Sequence, residues 1–429
     1  MARFATKSKI NIYKSKMKIS VFTLGCKTNL YESGQIIAAL NQVGHEAFHG
    51  LKAADVFVLN TCAVTGEAEK KSRQAIARAR KLNPQCKVVV VGCAAQKNAS
   101  QFSDIANVSF VKGVANKTAI VNEVLSVGVD VEELPSVYVE TVFATQERTR
   151  AFVKIQDGCN NFCSYCIVPY LRGRSRSRRV ADVVEEVRRA NVAETVLIGI
   201  DISQFGRDTG ESLHQLFEAL QGINTRIRLG SLEARVVTDE LLQSLSKINF
   251  CQHFHLSLQS GCDSVLKRMN RKYSTDEYYN AVQKIRKVFP DAGITTDVIV
   301  GFCGETDEEF ETTRKFIQKV SFADIHVFPY SPRDGTVSAT WQDVDSGVKT
   351  QRAVALAEVK QQLKLNYANS LCGTTQSVLC ERKRNGLWEG YTKQYLRVYF
   401  TGKCNVGDVI DVTVQQPYLD GAKGIVKTN

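Results

Sequence analysis

The segment Gln156-Asp157-Gly158-Cys159-Asn160-Asn161-Phe162-Cys163-Ser164-Tyr165-Cys166 sets three cysteines at C-x3-C-x2-C spacing, directly behind a strand-like run at residues 152–156. Three thiolates on one tight loop can each take an iron of a 4Fe–4S cluster, for which cysteine is the usual ligand. The next histidine is His214 and the next cysteine Cys251, so one metal corner would stay open. A structural zinc site would want a fourth ligand close by, commonly in a second pair. Three buried structural cysteines are the other alternative.

Outward from this loop, residues 151–370 alternate six strand-like runs (152–156, 195–200, 226–229, 253–257, 294–300 and 324–328) with helical periodicity. Six βα units are fewer than the eight of a closed TIM barrel, so an open partial (β/α)6 barrel is expected, closed off by a helical stretch at 347–370. Upstream, runs at 19–24, 56–59, 88–91 and 109–111 alternate with helical stretches at 31–43 and 68–82. Thr65 is the expected cap of the second stretch and Asn83-Pro84 its stop. That pattern predicts a doubly wound α/β domain over 18–128, followed by a polar linker at 129–150. Beyond 371 helical periodicity disappears. Runs at 376–380, 395–400 and 409–414, punctuated by Gly386, Gly390, Gly402 and Gly407, predict a small β-barrel over 371–429. The fold class expected is α/β in three units behind a basic tail at 1–17.

The chain has 429 residues, 44% apolar and 23% charged, enough for two or three packed domains. No run of 18 apolar residues occurs, which argues against a membrane span. The tail carries five Lys or Arg and no apolar core of a secretory signal, so a cytoplasmic location is expected. Thirteen cysteines in that compartment point to metal or catalysis rather than disulfides. The net charge of +12 suits a polyanionic partner.

A second constellation emerges from position. Cys26 follows the run at 19–24, Cys62 follows 56–59 and Cys93 follows 88–91. Each lies past the C-terminal end of a parallel strand, and those ends share one edge of an open sheet, where ligands bind. Cys86 precedes its strand and falls at the opposite edge. Cys251, Cys262, Cys372, Cys380 and Cys404 read as small buried hydrophobes. Cys303 sits in Gly301-Phe302-Cys303-Gly304-Glu305, at the mouth of the expected barrel.

With both trios in view the chain resembles the radical S-adenosylmethionine (SAM) methylthiotransferases from Lys18 onward. The stretches Thr23-Leu24-Gly25-Cys26-Lys27-Thr28-Asn29-Leu30-Tyr31-Glu32-Ser33, Asn60-Thr61-Cys62-Ala63-Val64-Thr65 and Gln156-Asp157-Gly158-Cys159 look most like the branch that acts on threonylcarbamoyladenosine in tRNA. The resemblance implies two 4Fe–4S clusters. Cys26, Cys62 and Cys93 would hold an auxiliary one. Cys159, Cys163 and Cys166, the catalytic trio, would hold the one whose open iron chelates SAM. It also implies a C-terminal TRAM barrel that binds RNA. One SAM would methylate a sulfur on the auxiliary cluster, and a second would yield the radical that takes hydrogen from adenine C2. Tyr165 would pack near the SAM adenine. At strand ends, Glu233, Ser257, Gln259 and Ser260 are candidate SAM contacts, and Gly301 with Gly304 would let backbone approach it. Family members usually have proline where this chain has Ala234 and Cys303.

Partners implied are the tRNA anticodon stem-loop and an electron donor such as a flavodoxin or ferredoxin. Arg172, Arg174, Arg176, Arg178 and Arg179 follow the cluster loop and suit phosphate, or form an ordinary solvated charge run. Arg382, Lys383 and Arg384, with Trp388, Tyr391 and Tyr395, combine cations and rings that suit unstacked bases, with a core role as the alternative for Trp388. Rival readings are isopentenyladenosine or a ribosomal protein aspartate as the target, and a non-catalytic metal-binding RNA-binding module.

Overall fold

A computed structural model describes residues 16–63, 66–139, 142–144 and 149–427. The expected Thr65 cap, and the basic tail apart from its last two residues, lie outside the described residues.

Valine-rich runs such as Lys87–Gly92, apolar on both faces, are buried on both sides and pair in parallel. β1 (Lys18–Thr23), β2 (Glu46–His49), β3 (Val56–Thr61), β4 (Lys87–Gly92), β5 (Val108–Lys112) and β6 (Gly128–Asp130) form one sheet in the order β2-β1-β3-β4-β5-β6. α1 (Lys27–Gln42), α2 (Gly66–Leu82), α3 (Cys93–Lys97) and α4 (Ser100–Ser103) connect them. The chain steps from β1 out to β2 and returns as β3 on the other side of β1. That reversal is a topological switch point. β2 and β6, four and three residues long, escape pattern reading.

β7 (Arg150–Lys154) opens the second unit. A short ribbon of β8 (Gln156–Asp157) and β9 (Arg176–Ser177), with α5 (Val168–Arg172) between them, carries the C-x3-C-x2-C loop. α6 (Val180–Ala190), β10 (Glu194–Ile198), α7 (Leu213–Ala219), β11 (Arg226–Leu229), β12 (Ser231–Leu232), α8 (Asp239–Ser246), β13 (His253–Leu256), α9 (Asp263–Arg268), α10 (Thr275–Val288), β14 (Gly293–Val300), α11 (Asp307–Val320) and β15 (Asp324–Pro329) follow. The strands run parallel as β7-β10-β11 and β12-β13-β14-β15, and an Ile227–Phe250 bridge joins the two groups. This is the open (β/α)6 arrangement. Phe254, Leu256, Ile294, Val298, Val300 and Ile325 pack outward under the helices. Alternation along a strand therefore turns His253, His255, Thr295, Asp297 and His326 into the concave interior.

α12 (Ser346–Ser370) crosses to the last unit: β16 (Thr375–Arg384), β17 (Leu387–Thr392), β18 (Arg397–Phe400), β19 (Val409–Tyr418) and β20 (Gly421–Val426). These close into a barrel in the order β16-β17-β18-β20-β19. Gly390 lies within β17 rather than between strands, because a Cβ there would strike the Leu379 backbone and the Val378 side chain on β16.

Candidate active site

Gln156 builds the loop after β7. Its amide donates to the carbonyls of Asp157 (2.8 Å) and Gly158 (2.7 Å) and to Ser175 Oγ (2.9 Å), and its Oε1 accepts from the Ile200 and Asp201 amides. Gly158 has φ +72°, and a Cβ there would overlap the Arg174 carbonyl, so only glycine lets the two backbones touch. Cys159 N–H then donates to the Gly173 carbonyl (3.1 Å), and Cys166 N–H to the Cys163 carbonyl (3.0 Å). Ser164 ties the loop to the end of α9 through the Arg268 and Met269 carbonyls.

The three thiols feel one another. Burial, Asp201 and the other two thiols push Cys159 well above the ordinary thiol range. Burial and Cys163 push Cys166 up to about 12, against the pull of Arg271. Arg271 donates to Cys163 Sγ at 3.3 Å, so a fixed cation stands beside the trio. Each thiolate of a 4Fe–4S cluster takes its own iron, so the sulfurs need not converge on one ion. Among the described residues the one group of three ligand atoms within 4.8 Å of one another is instead His255, Asp297 and His326. The residues fit a cluster with one open corner.

Around the loop lie groups that sequence reading missed. Asp201 Oδ2 is 3.8 Å from Cys159 Sγ, and burial together with Glu233 raises its carboxyl to about 6. Asn161 bridges Asp201 (2.9 Å) and Glu233 (3.0 Å), and Arg271 pairs with Glu233 at 3.1 Å. Asp201 follows β10 and Arg271 follows α9. A strand-end position was the available signal for Asp201, whereas Arg271 had none.

The second trio forms at the switch point. Cys26 is the N-cap of α1 but does not cap it with its thiol, while Cys62 and Cys93 follow Thr61 and Gly92, which pair across β3 and β4. Gly25 (φ +101°) brings the Cys26 turn onto Cys62: a Cβ there would stand 2.7 Å from Cys62 Cβ and 2.9 Å from its Sγ. Asn29 clamps the site, donating to the Leu24 (2.8 Å) and Thr61 (2.9 Å) carbonyls while accepting from Arg172 (2.7 Å).

Behind it lies a buried ionic network. Glu32 pairs with Lys117 (2.5 Å), Lys154 (2.8 Å) and Arg172 (2.8 Å); Asp157 pairs with Lys154 (2.9 Å), Arg172 (3.0 Å) and Arg176 (3.2 Å). Burial alone would push the Glu32 and Asp157 carboxyls up, but these cations outweigh it and hold both well below the usual carboxylate range. Four cations face two carboxylates, and Cys93 acts on Arg172. A cation surplus beside a thiol trio fits an anionic thiolate-bound cluster.

The network corrects one expectation. Arg172, Arg176 and Arg178 do not face RNA: all three are buried, the last held by Glu186 and the Lys154 carbonyl. The run folds back along β8, which turns these three inward. Arg174, over the Phe162 ring at 4.4 Å, and Arg179 stay exposed.

Among the proposed SAM contacts, Tyr165 is held among Phe302, Tyr330 and Met269, and Glu233 lies beside the loop. Ser257 offers its carbonyl to Arg271 and Tyr273, and Gln259 (φ +68°) bridges to Val298 by backbone. Gly304 is open, with its carbonyl accepting from Arg268. Two expectations fail. Ser260 is fully buried against Thr313 of α11, and Gly301 lies under the Lys349 side chain, so neither faces a cofactor. Cys303 packs in the same apolar group as Tyr165, its thiol toward the Ser338 carbonyl.

In the barrel, Arg382, Lys383 and Arg384 are exposed on the β16–β17 hairpin, with Arg382 tied to Glu389 (2.6 Å). Trp388 belongs to the barrel core. Tyr391 and Tyr395 stack on each other (4.7 Å) and meet Arg150 and Arg228 of the partial barrel.

Residues 153–317 match the Radical SAM superfamily model, and residues 18–113 match the uncharacterized protein family UPF0004. The chain is 36% identical over 431 residues to the threonylcarbamoyladenosine tRNA methylthiotransferase MtaB of Bacillus subtilis, covering 94% of this chain and 95% of that one. The Thermotoga maritima protein of the same name is 34% identical, with the same coverage. A tRNA-2-methylthio-N(6)-dimethylallyladenosine synthase of Caldicellulosiruptor saccharolyticus is 35% identical over 87% of this chain and 84% of that one. Among solved structures, the radical SAM methyltransferase TsrM of Kitasatospora setae, with cobalamin and a [4Fe-4S] cluster bound, shares the fold (TM-score 0.55, 11% identity, 87% of this chain and 81% of that chain). Related at this level over nearly all of its length, the chain belongs to the radical SAM methylthiotransferase family.

Proposed function

We propose that this chain adds a methylthio group to C2 of N6-threonylcarbamoyladenosine next to the anticodon of tRNA. One observation carries the reading: one member of each thiol trio, Cys166 and Cys93, abuts the same short helix. Cys166 leads through Ile167 into α5, whose Ile167 and Leu171 flank share an apolar core with Cys93 and whose last residue, Arg172, is acted on by Cys93. α5 is five residues long, about 8 Å at 1.5 Å per residue, so a small substrate group can face both sites.

Adenine C2–H is unactivated, which acid–base groups cannot remove. When bound, the clusters and SAM supply the one-electron chemistry and the methylated sulfur. The chain's own residues orient and shield. Arg271 balances the Cys163 thiolate and fixes Glu233, which is placed to receive ribose hydroxyls. Tyr165, Phe302, Tyr330 and Met269 form an apolar wall that excludes water from this side. Arg174 and Arg179, with the hairpin Arg382-Lys383-Arg384, supply phosphate contacts for an anticodon stem-loop.

The same reading divides the chain at 18–128, 151–370 and 371–429, and includes a flavodoxin or ferredoxin as electron donor. It places the protein in the cytoplasm: all thirteen cysteines are free, and no described helix is long and apolar enough to cross a membrane. The test is mass spectrometry of tRNA nucleosides from a strain lacking the gene. The methylthio form of threonylcarbamoyladenosine should vanish and return on complementation. Loss of the methylthio isopentenyl nucleoside instead would assign the chain to the other branch that its relatives represent.

A further inference from the structure

The concave interior of the partial barrel holds a charged wall that includes none of the six cluster cysteines or candidate SAM contacts. Arg228 is neutralised by Glu194 (2.8 Å), and Arg150 is shared between Glu194 and Glu381 (2.5 Å each). Asp297 is held by His255 Nε2 at 3.2 Å, and His255 Nδ1 meets Thr295 Oγ1 at 2.9 Å. His326 completes the group facing Asp297 and His255. Each of these cations and anions has a partner on the barrel itself.

Lys27 does not. It comes from the other unit, at the first turn of α1 directly after Cys26, and its side chain makes no hydrogen bond or ion pair with any described residue. The charges acting on its ammonium are Arg228 and Arg150, which oppose it, and Asp297, which favours it. His253, deep in the same interior, feels the charge of Lys27 together with those of Arg228, His255 and His326, which puts Lys27 near this wall. Part of the Lys27 side chain stays open to solvent, while its ammonium end is desolvated by the chain around it. An uncompensated cation in that setting calls for an anion from outside the chain.

We infer that Lys27 receives the carboxylate of the substrate's threonylcarbamoyl group and so selects this nucleoside over its isopentenyl counterpart. The inference rests on the reading given under the proposed function. Chemistry connects the two. The threonyl carboxylate is ionised at neutral pH, whereas an isopentenyl group carries no charge. In adenine, C2 and C6 flank the same ring nitrogen, so a substituent on N6 projects past the atom that is modified. A residue next to Cys26 is therefore placed where that substituent arrives when C2 faces the Cys26–Cys62–Cys93 site. Asp297, held by His255 through Oδ2, keeps its other carboxylate oxygen as an acceptor for the N–H and hydroxyl groups of the same substituent.

The test uses the full chain, reconstituted anaerobically with both clusters, and anticodon stem-loop RNAs carrying threonylcarbamoyladenosine as the free acid or as its methyl ester. Dissociation constants are read by fluorescence anisotropy with SAM present. The wild-type chain should bind the acid about tenfold or more tighter than the ester, the range of a charge-assisted hydrogen bond. Lys27→Met should bind the two alike, and Lys27→Arg should restore much of the preference. Iron content and electron paramagnetic resonance are recorded for each variant. If Lys27→Met disturbs those signals yet keeps the acid preference, Lys27 serves the cluster and the inference falls. If the wild-type chain methylthiolates the acid RNA but binds acid and ester equally, the inference alone falls. Methylthiolation of only an isopentenyladenosine stem-loop would overturn the proposed function as well.

Discussion

On the proposed reading six cysteines carry the chemistry, and their surroundings differ. Cys159, Cys163 and Cys166 share one loop, so losing one ligand leaves its neighbours in place but opens a second corner of the cluster. Cys26, Cys62 and Cys93 come from three connections, held by Gly25 and the Asn29 clamp. Because the two sets use separate backbone, each site should empty independently. Cys62→Ala is expected to hold about half of the wild-type iron, as loss of one of two clusters requires, and still to cleave SAM to 5′-deoxyadenosine. Cys163→Ala should lose the other half and all SAM cleavage. Iron assay and chromatography of the cleavage product check both, and loss of all iron from either variant would contradict two separate sites.

At the scale of elements, the β16–β17 hairpin is the test of how RNA is held. Its three cations are exposed, and only Arg382 has a fixed acidic partner. Phosphate contacts release counterions, so Arg382→Ala, Lys383→Ala and Arg384→Ala combined should flatten the plot of log affinity for tRNA against log salt by about 2, at roughly 0.7 per contact. An unchanged slope would take the hairpin out of the interface. The same substitutions leave Val398 and Phe400 of the barrel core in place but remove the Arg382 partner of the buried Glu389 and the Lys383 cation over Trp388, so thermal stability should fall by about 1 kcal/mol.

At the scale of the whole molecule, the Glu32–Asp157 network joins the N-terminal sheet to the partial barrel. Both carboxyls sit below their unfolded values of about 4. Groups depressed in this way stabilise the folded state fully above the unfolded value and lose that contribution as pH falls through the folded one. Melting temperature should therefore hold through neutral pH and fall below about pH 4. Glu32→Gln leaves Lys117, Lys154 and Arg172 short of a buried counterion, which costs about 3 kcal/mol or more at pH 7. It should also show a shallower acid decline than wild type, seen as converging melting curves. Parallel decline in the two proteins would mean that Glu32 contributes nothing to the pH dependence.

Much of this was legible in the chain itself. The six barrel strands, the parallel sheet and the C-x3-C-x2-C loop follow from local periodicity and spacing, which depend on near neighbours alone. The placement of Cys26, Cys62 and Cys93 at one edge follows from strand alternation. What local pattern could not decide was direction. Arg172, Arg176 and Arg178 read as a solvent-facing basic run, yet tertiary contact with Glu32, Asp157 and Glu186 turned them inward, because only the folded chain brings carboxylates from distant elements against them. Ser260, Gly301, Gly390 and Arg271 are the same case: which neighbour each one meets is set by packing between elements far apart in sequence, and no spacing rule encodes it.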